Sequence, residues 1–135
     1  MAYTILYIED NLDNKVLVQK ALEAHGYHFL WSADGADGID KAITYQPNLI
    51  LLDINLPDID GYEVARRIRN APDKSLLYTP IIAITANALK GDAEKALAAG
   101  CDVYMSKPIN IRELWARVEG FAQSNKTPDD LLSRK

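Results

Sequence analysis

The 135 residues, 48% hydrophobic and 25% charged, have the size and balance of one globular domain. A net charge of −4 argues against a nucleic-acid or acidic-membrane surface, and a single cysteine, Cys101, excludes an internal disulfide and fits a reducing compartment. No basic-then-apolar leader opens the sequence and no apolar stretch approaches membrane-spanning length, so a cytoplasmic location is expected.

The first apolar run, residues 4–8, predicts a strand and is followed by the acidic pair Glu9-Asp10. Leu17, Val18, Ala21 and Leu22 then form the stripe of a helix, which Gly26 ends. A second strand is expected at 28–33 and a second helix around Ile39, Ala42 and Ile43, with Pro47 at the connection. Residues 49–52 are continuously apolar, as in a strand buried on both faces, and Asp53 follows them. Val64, Ala65 and Ile68 predict a third helix, with Arg66, Arg67 and Arg69 as its wet side. After Pro80, residues 81–85 form the fourth strand and end in Thr85. Ala93, Ala96 and Leu97 mark a fourth helix before Gly100. Residues 103–105 form the fifth strand, closely followed by Lys107. The last helix carries Ile111, Leu114, Trp115, Val118, Phe121 and Ala122 on one face. Asn110 precedes it, with Glu113 three places on, as in a capping box.

Five repeats of strand then helix, joined by right-handed crossovers, predict an α/β fold. A barrel needs roughly 250 residues, so the expected architecture is a five-stranded parallel sheet of order 2-1-3-4-5 with helices on both faces. In that order strands 1 and 3 are neighbours, and Glu9-Asp10 meets Asp53 at the switch point. Residues 1–122 read as this one domain, and 123–135 as a polar C-terminal tail. Thr127-Pro128-Asp129-Asp130 has the form of a short helix start, and Leu131 and Leu132 could pack on the domain or on a partner; a frayed tail is the plainer reading.

Two unit charges about 4 Å apart repel by roughly 1 kcal/mol in water and about 4 kcal/mol at a protein surface. Three clustered carboxylates therefore call for a cation. The candidate ligands are all oxygens, which favours a hard divalent ion, magnesium or in its place manganese; no histidine or cysteine lies near them in sequence to suggest zinc. Beside a cation, an Asp carboxylate can act as a nucleophile on phosphorus. Phosphoryl transfer then asks mainly for positioning and charge neutralisation. Lys107 supplies a point charge for a phosphoryl oxygen, Thr85 a hydroxyl donor, and the amides after Asp53 further donors.

Ile8-Glu9-Asp10-Asn11, Leu51-Leu52-Asp53-Ile54-Asn55-Leu56-Pro57, Asp60-Gly61, Thr85-Ala86 and Ser106-Lys107-Pro108 occur in this order. Together they resemble the response-regulator receiver domain, the phosphoacceptor module of two-component signalling, over about residues 4–121. The resemblance implies that Asp53 is phosphorylated, that Asp10 binds magnesium directly and Glu9 mostly through water, and that Asn55 offers its backbone carbonyl to the metal. It implies phosphoryl contacts from Thr85 and Lys107, a cis bond before Pro108, and a switching role for Tyr104, for which plain packing is the alternative. It further implies a histidine kinase or histidine phosphotransfer protein as donor and a downstream protein target. That target would meet the face built by the fourth helix, fifth strand and fifth helix. Such a protein is a phosphoacceptor and not an enzyme in the usual sense, although it can catalyse its own phosphorylation from small donors and its own dephosphorylation. No nucleic-acid or membrane partner is expected, and the oligomeric state is a monomer or a weak homodimer.

The chain is similar to single-domain receivers, such as cell-cycle regulators. Its acidic pair is Glu-Asp where Asp-Asp is commoner, and Asn55 and Asn87 stand where relatives tune phosphoryl lifetime. Asn87-Ala88-Leu89-Lys90-Gly91-Asp92 resembles a fourth-helix start. Three rivals are open. Asp53-Ile54-Asn55 is similar to the nucleophile motif of haloacid-dehalogenase-type phosphatases, which carry an acid in place of Asn55 and usually a cap domain. A nucleotide-binding domain needs a glycine-rich loop where Glu9-Asp10-Asn11 stands. A phosphorylation-independent adaptor could keep the fold, though such proteins commonly lose the acceptor or the lysine. His25 and His28 read as non-catalytic, Cys101 as a packed thiol, and Trp31 and Trp115 as packing residues, Trp115 bordering the output face.

Overall fold

The apolar runs become β1 (Thr4–Ile8), β2 (His28–Ser32), β3 (Leu49–Asp53), β4 (Ile81–Thr85) and β5 (Val103–Ser106). They alternate with α1 (Leu12–Glu23), α2 (Gly35–Tyr45), α3 (Gly61–Arg69), α4 (Asp92–Ala98) and α5 (Ile111–Ser124). The computed structural model describes residues 2–86 and 91–124. Asn87-Ala88-Leu89-Lys90 and the tail segment 125–135, with Thr127-Pro128-Asp129-Asp130, Leu131 and Leu132, lie outside the described residues. The strands form one parallel sheet in the order β2-β1-β3-β4-β5, with Ile8 opposite Leu52, Asp53 opposite Ile84 and Thr85 opposite Ser106.

Alternation along the strands builds two cores. Leu6, Ile8, Ile50, Leu52, Ile81 and Ala83 pack under α2, α3 and α4 with Val64, Ala65, Ile68 and Ala96. Ile5, Tyr7, Leu49, Leu51, Ile82, Ile84 and Met105 pack under α1 and α5 with Val18, Leu22, Leu114 and Val118. β3 is central and every residue in it is buried, Asp53 included. A strand covered by helices on both sides cannot show an apolar/polar alternation, which explains its unbroken hydrophobic run.

The strand bounds match the expected ones within one residue, with β2 ending at Ser32 rather than Ala33. Asn110 Oδ1 accepts the Glu113 amide at 3.1 Å, as the capping pattern requires. α5 continues through Ser124, two residues beyond the expected domain end at 122. A short 3-10 turn, Lys74–Leu77, was not expected from the sequence. Leu17, Ile43 and Leu97 are 45%, 38% and 61% exposed, unlike the rest of their stripes. Each neighbours a buried residue, Val18, Ala42 or Ala96, and lies about 100° around the helix from it, beyond the strip that the sheet covers.

Arg69 corrects a second expectation. Its side chain is not on the wet side of α3 but only 15% exposed. It donates to the carbonyls of Gly100 (2.9 Å), Leu76 (2.7 Å) and Thr79 (2.6 Å) and to Asp102 Oδ2 (2.9 Å). Asp102 Oδ2 also accepts the Ile81 amide at 2.9 Å. One guanidinium thus joins α3, the turn after it, the start of β4 and the entry to β5. Gly100 lacks a side chain where a Cβ would come within 2.7 Å of Arg69 Cγ. Trp115 packs as expected: its Nε1 donates to the Ala21 carbonyl at 3.0 Å and its ring centre lies 4.4 Å from that of His25, so it joins α5 to α1. Arg69→Ala removes the guanidinium donor from three carbonyls and leaves Asp102 without its cation, and is expected to lower unfolding free energy by about 2–4 kcal/mol in chemical denaturation. Arg69→Lys should recover less than half, because an ammonium cannot span the same fork.

Candidate functional site

Glu9, Asp53 and Lys107 continue the strand rows that face α1 and α5, because each falls two places after a core residue of that face, Tyr7, Leu51 or Met105. Thr85 follows Ala83 on the opposite row, and Tyr104 packs against the core under α2, α3 and α4. The sheet therefore keeps the charged cluster on one side and Thr85 and Tyr104 on the other. All of them stand at the carboxyl ends of the strands, around or beneath an open cleft of about 530 Å³. Asp10, Asn11, Asn14, Asp53, Asn55 and Lys107 line that cleft, along with Leu12, Asp13 and Ala86.

Glu9 is 0% and Asp53 1% exposed. Lys107 Nζ stands between them, 3.0 Å from Glu9 Oε1 and 3.2 Å from Asp53 Oδ2. Glu9 Oε1 also accepts from Asn14 Nδ2 at 2.7 Å and from the Tyr7 hydroxyl at 3.3 Å. Asp53 Oδ1 accepts the Asn55 amide at 3.0 Å. Sequence reading passed over Tyr7 and Asn14. Tyr7 had a usable signal, since residues two apart in a strand share a face. Outside this cluster, Trp31 Nε1 donates to the Glu9 backbone carbonyl at 2.7 Å, and Lys15 Nζ lies 5.2 Å from the centre of the Trp31 ring.

Two buried carboxylates served by one ammonium do not titrate alike. Burial pushes the Asp53 carboxyl up to about 7, with the neighbouring Glu9 carboxyl adding to the rise and the Asn55 amide and Lys107 opposing it. Burial also acts on Glu9, but its hydrogen bonds from Asp53, Asn14 and Lys107 and the charge of Lys107 hold it below the usual carboxylate range. Without a bound cation, the pair therefore gives up its last proton at a higher pH than two separate carboxylates would.

A cation has a suitable place here. Oxygens of Glu9, Asp10 and Asp53 lie within 4.8 Å of one another. Glu9 Oε2 is buried with no hydrogen-bond partner among the described residues, and Asp10 is exposed at the cleft. An all-oxygen donor set with an orphaned carboxylate oxygen suits a hard divalent ion. Asn55 is exposed at the cleft, with its amide directed to Asp53. The Thr85 carbonyl accepts the Lys107 amide at 2.7 Å, and its side chain is buried just below the cleft rather than lining it. Tyr104 is half-buried, and its hydroxyl is pushed up by burial and by the charge of Asp92. The Lys107-Pro108 peptide bond is cis. Asn87 lies outside the described residues.

The order of the strands agrees with comparisons to known proteins. The family model of the response regulator receiver domain matches residues 5–119. The chain belongs to that family. It is similar to the polar-differentiation response regulator DivK of Brucella ovis, 39% identical over 121 residues that cover 90% of this chain and 97% of the relative. The DivK of Brucella anthropi matches with the same identity and coverage. Among solved structures, the receiver domain of a sensor histidine kinase from Pseudomonas aeruginosa PAO1 has a magnesium ion coordinated in its active-site cleft. It is 36% identical, has a TM-score of 0.81, and the match covers 90% of this chain and 98% of that one. The signal receiver domain of a Luxo repressor protein from Vibrio parahaemolyticus, 26% identical, gives a TM-score of 0.85 over 98% of each chain.

A carboxyl raised on folding binds more protons in the native state than in the unfolded one, so its contribution is stabilising at low pH and is lost as pH rises through the folded value. Between about pH 4 and pH 7 Asp53 therefore lowers stability as pH rises, with a ceiling of about 4 kcal/mol. The depressed Glu9 acts in the opposite sense only below its ordinary range. Denaturation in EDTA should show that Asp53→Asn flattens the fall between about pH 4 and pH 7 and stabilises the metal-free protein by about 1–3 kcal/mol at pH 8.

Proposed function

We propose that this chain is a single-domain response regulator in the cytoplasm. In this reading Asp53 accepts a phosphoryl group from a histidine kinase or histidine phosphotransfer protein in a magnesium-dependent reaction, and the phosphorylated form engages a downstream protein through the α4-β5-α5 face. The match to DivK over almost its whole length supports the single-domain form. The observation that carries the chemistry is the pair of contacts from Lys107, at 3.0 and 3.2 Å, to two buried carboxylates, of which Asp53 lines an open cleft.

Asp10 and Asp53 would hold magnesium, or manganese in its place, through carboxylate oxygens, with the Asn55 carbonyl completing the protein's share and Glu9 acting mostly through water. The ion supplies charge neutralisation for the phosphoryl oxygens and lifts the mutual repulsion of the acids. Asp53 then reacts as a carboxylate. An Asp53 oxygen forms a bond to phosphorus as the phosphorus–nitrogen bond of the donor histidine breaks, and the leaving imidazole keeps the electron pair. Lys107 is already close to Asp53 and moves its charge onto a phosphoryl oxygen. Tyr7 and Asn14 hold Glu9 Oε1 in place and leave Oε2 without a hydrogen-bond partner among the described residues. The same site catalyses phosphorylation from small donors and hydrolysis of the phosphoaspartate.

Thr85 moves toward the new phosphoryl group and vacates space on its own side of the sheet. Tyr104 lies on that side and turns inward to fill it. Moving a two-state element from 1:99 to 99:1 requires about 5.5 kcal/mol, and two or three charge-assisted hydrogen bonds at about 1.5–3 kcal/mol each suffice. The donor has a place to dock. Leu12 and Val16 are 63% and 43% exposed on successive turns of α1, and Leu12 lines the cleft. An apolar patch at the rim of a phosphoacceptor cleft suits a helix that carries the donor histidine.

Incubation with acetyl phosphate and magnesium, followed by intact-mass analysis, should add one phosphoryl group to the protein. Asp53→Asn and EDTA should each abolish the addition, and Lys107→Ala should slow it by about 10²-fold. Full labelling of Asp53→Asn refutes the acceptor assignment. Failure of every donor and kinase to modify the parent supports a phosphorylation-independent adaptor, and steady turnover of a phosphate ester supports an aspartyl-phosphate phosphatase.

A further inference from the structure

The segment between β3 and α3, residues 54–60, carries Asn55 beside the acidic cluster and is tied down at both ends. Ile54 donates its amide to the Ile84 carbonyl at 3.0 Å, and the Gly61 amide donates to the Ile54 carbonyl at 3.0 Å. A Cβ on Gly61 would lie 2.5 Å from Ile54 Cα and 2.7 Å from the Asp53 carbonyl oxygen, so the segment closes directly against the phosphoacceptor's own backbone. Midway along it, the side chain of Asp58 crosses to another element. Its Oδ1 accepts the Gly35 amide at 2.8 Å and its Oδ2 the Ala36 amide at 3.0 Å.

These bonds serve the first turn of α2. A helix begins with four amides that have no partner within it. In α2, whose first helical bond runs from the Gly38 amide to the Asp34 carbonyl at 3.0 Å, the Asp34 side chain serves one of them, accepting the Asp37 amide at 2.8 Å. Two more, Gly35 and Ala36, are served by a residue more than twenty positions away in sequence. The segment also packs closely at this point. A Cβ on Gly35 would meet Ile59 Cβ at 3.2 Å and Asp58 Oδ1 at 3.3 Å. α2 in turn is fixed to the sheet through Ala42, which is buried in the core.

We propose that Asp58 is a positioning residue for the metal and phosphoryl site. It braces the 54–60 segment against the amino end of α2 and so holds the Asn55 carbonyl where the cation binds. This rests on the magnesium-dependent phosphoacceptor reading given above. Asp58 touches neither the cation nor the phosphoryl group; it acts through the backbone that carries Asn55. The segment has fixed ends but an open surface, and a bidentate carboxylate on a rigid helix terminus limits how far its middle can stray.

The test compares Asp58→Ala with Asp34→Ala. Both remove a side-chain cap from the same helix, but only the first releases the segment. Hydrogen exchange on the metal-free proteins reads the brace directly: Asp58→Ala should speed exchange of the 55–60 amides by about tenfold or more, and Asp34→Ala should leave them within about twofold of the parent. Calorimetric titration with magnesium chloride should show about tenfold weaker binding for Asp58→Ala, partial recovery in Asp58→Asn, and a near-parental constant for Asp34→Ala despite its lower melting temperature. Unchanged exchange in Asp58→Ala overturns the proposal, as does a magnesium affinity equal to the parent's or an equal loss in both alanine variants. A parent that binds no magnesium refutes the metal reading instead, and the exchange comparison then decides whether Asp58 braces the segment.

Discussion

Glu9 and Asp53 are both removed from water, and one ammonium stands within 3.2 Å of each. Desolvating two like charges is costly, and a single lysine offsets only part of that cost. The remainder appears as an Asp53 carboxyl pushed up by burial and as an orphaned Glu9 oxygen. A divalent ion bound among the acids would relieve both conditions at once. The chemistry attributed to this cleft follows from that deliberate imbalance between acids and bases.

The parallel sheet makes the imbalance possible. Every strand ends at the same pole, so residues from β1, β3 and β5 meet there although almost a hundred positions separate Glu9 from Lys107. Strand alternation then divides the work. Charge sits on the side of α1 and α5, while Thr85 and Tyr104 sit on the side of α2, α3 and α4. The two sides are linked through β4, whose Thr85 carbonyl accepts the Lys107 amide, and through the 54–60 segment, which joins Asp53 to α3 and touches α2.

Much of this was legible in the chain. The central strand reads as an apolar run because helices cover both of its faces, and Asp53 stands out because a carboxylate there has no packing role. Glu9, Lys107 and Thr85 were legible for the same reason. Residues whose role depends on a distant partner were not. Arg69 lies among exposed arginines in sequence, and only the fold brings Gly100, Asp102 and two further carbonyls to it. Asp58 reads as an ordinary loop acid until α2 is placed beside it. Leu17, Ile43 and Leu97 were assigned inward because helical periodicity marks a direction but not the width of the covered strip.

The hydrogen bond from the Trp31 indole to the Glu9 carbonyl gives the molecule an optical property. Indole emission responds to the polarity and charge around its ring and N–H, and this N–H is attached to the backbone of a residue in the acidic cluster. The other tryptophan, Trp115, is half-buried between α1 and α5 and bonded to Ala21, away from the acidic cluster. The chain therefore carries its own fluorophore bonded to the backbone of Glu9, a reporter of events there that needs no attached dye.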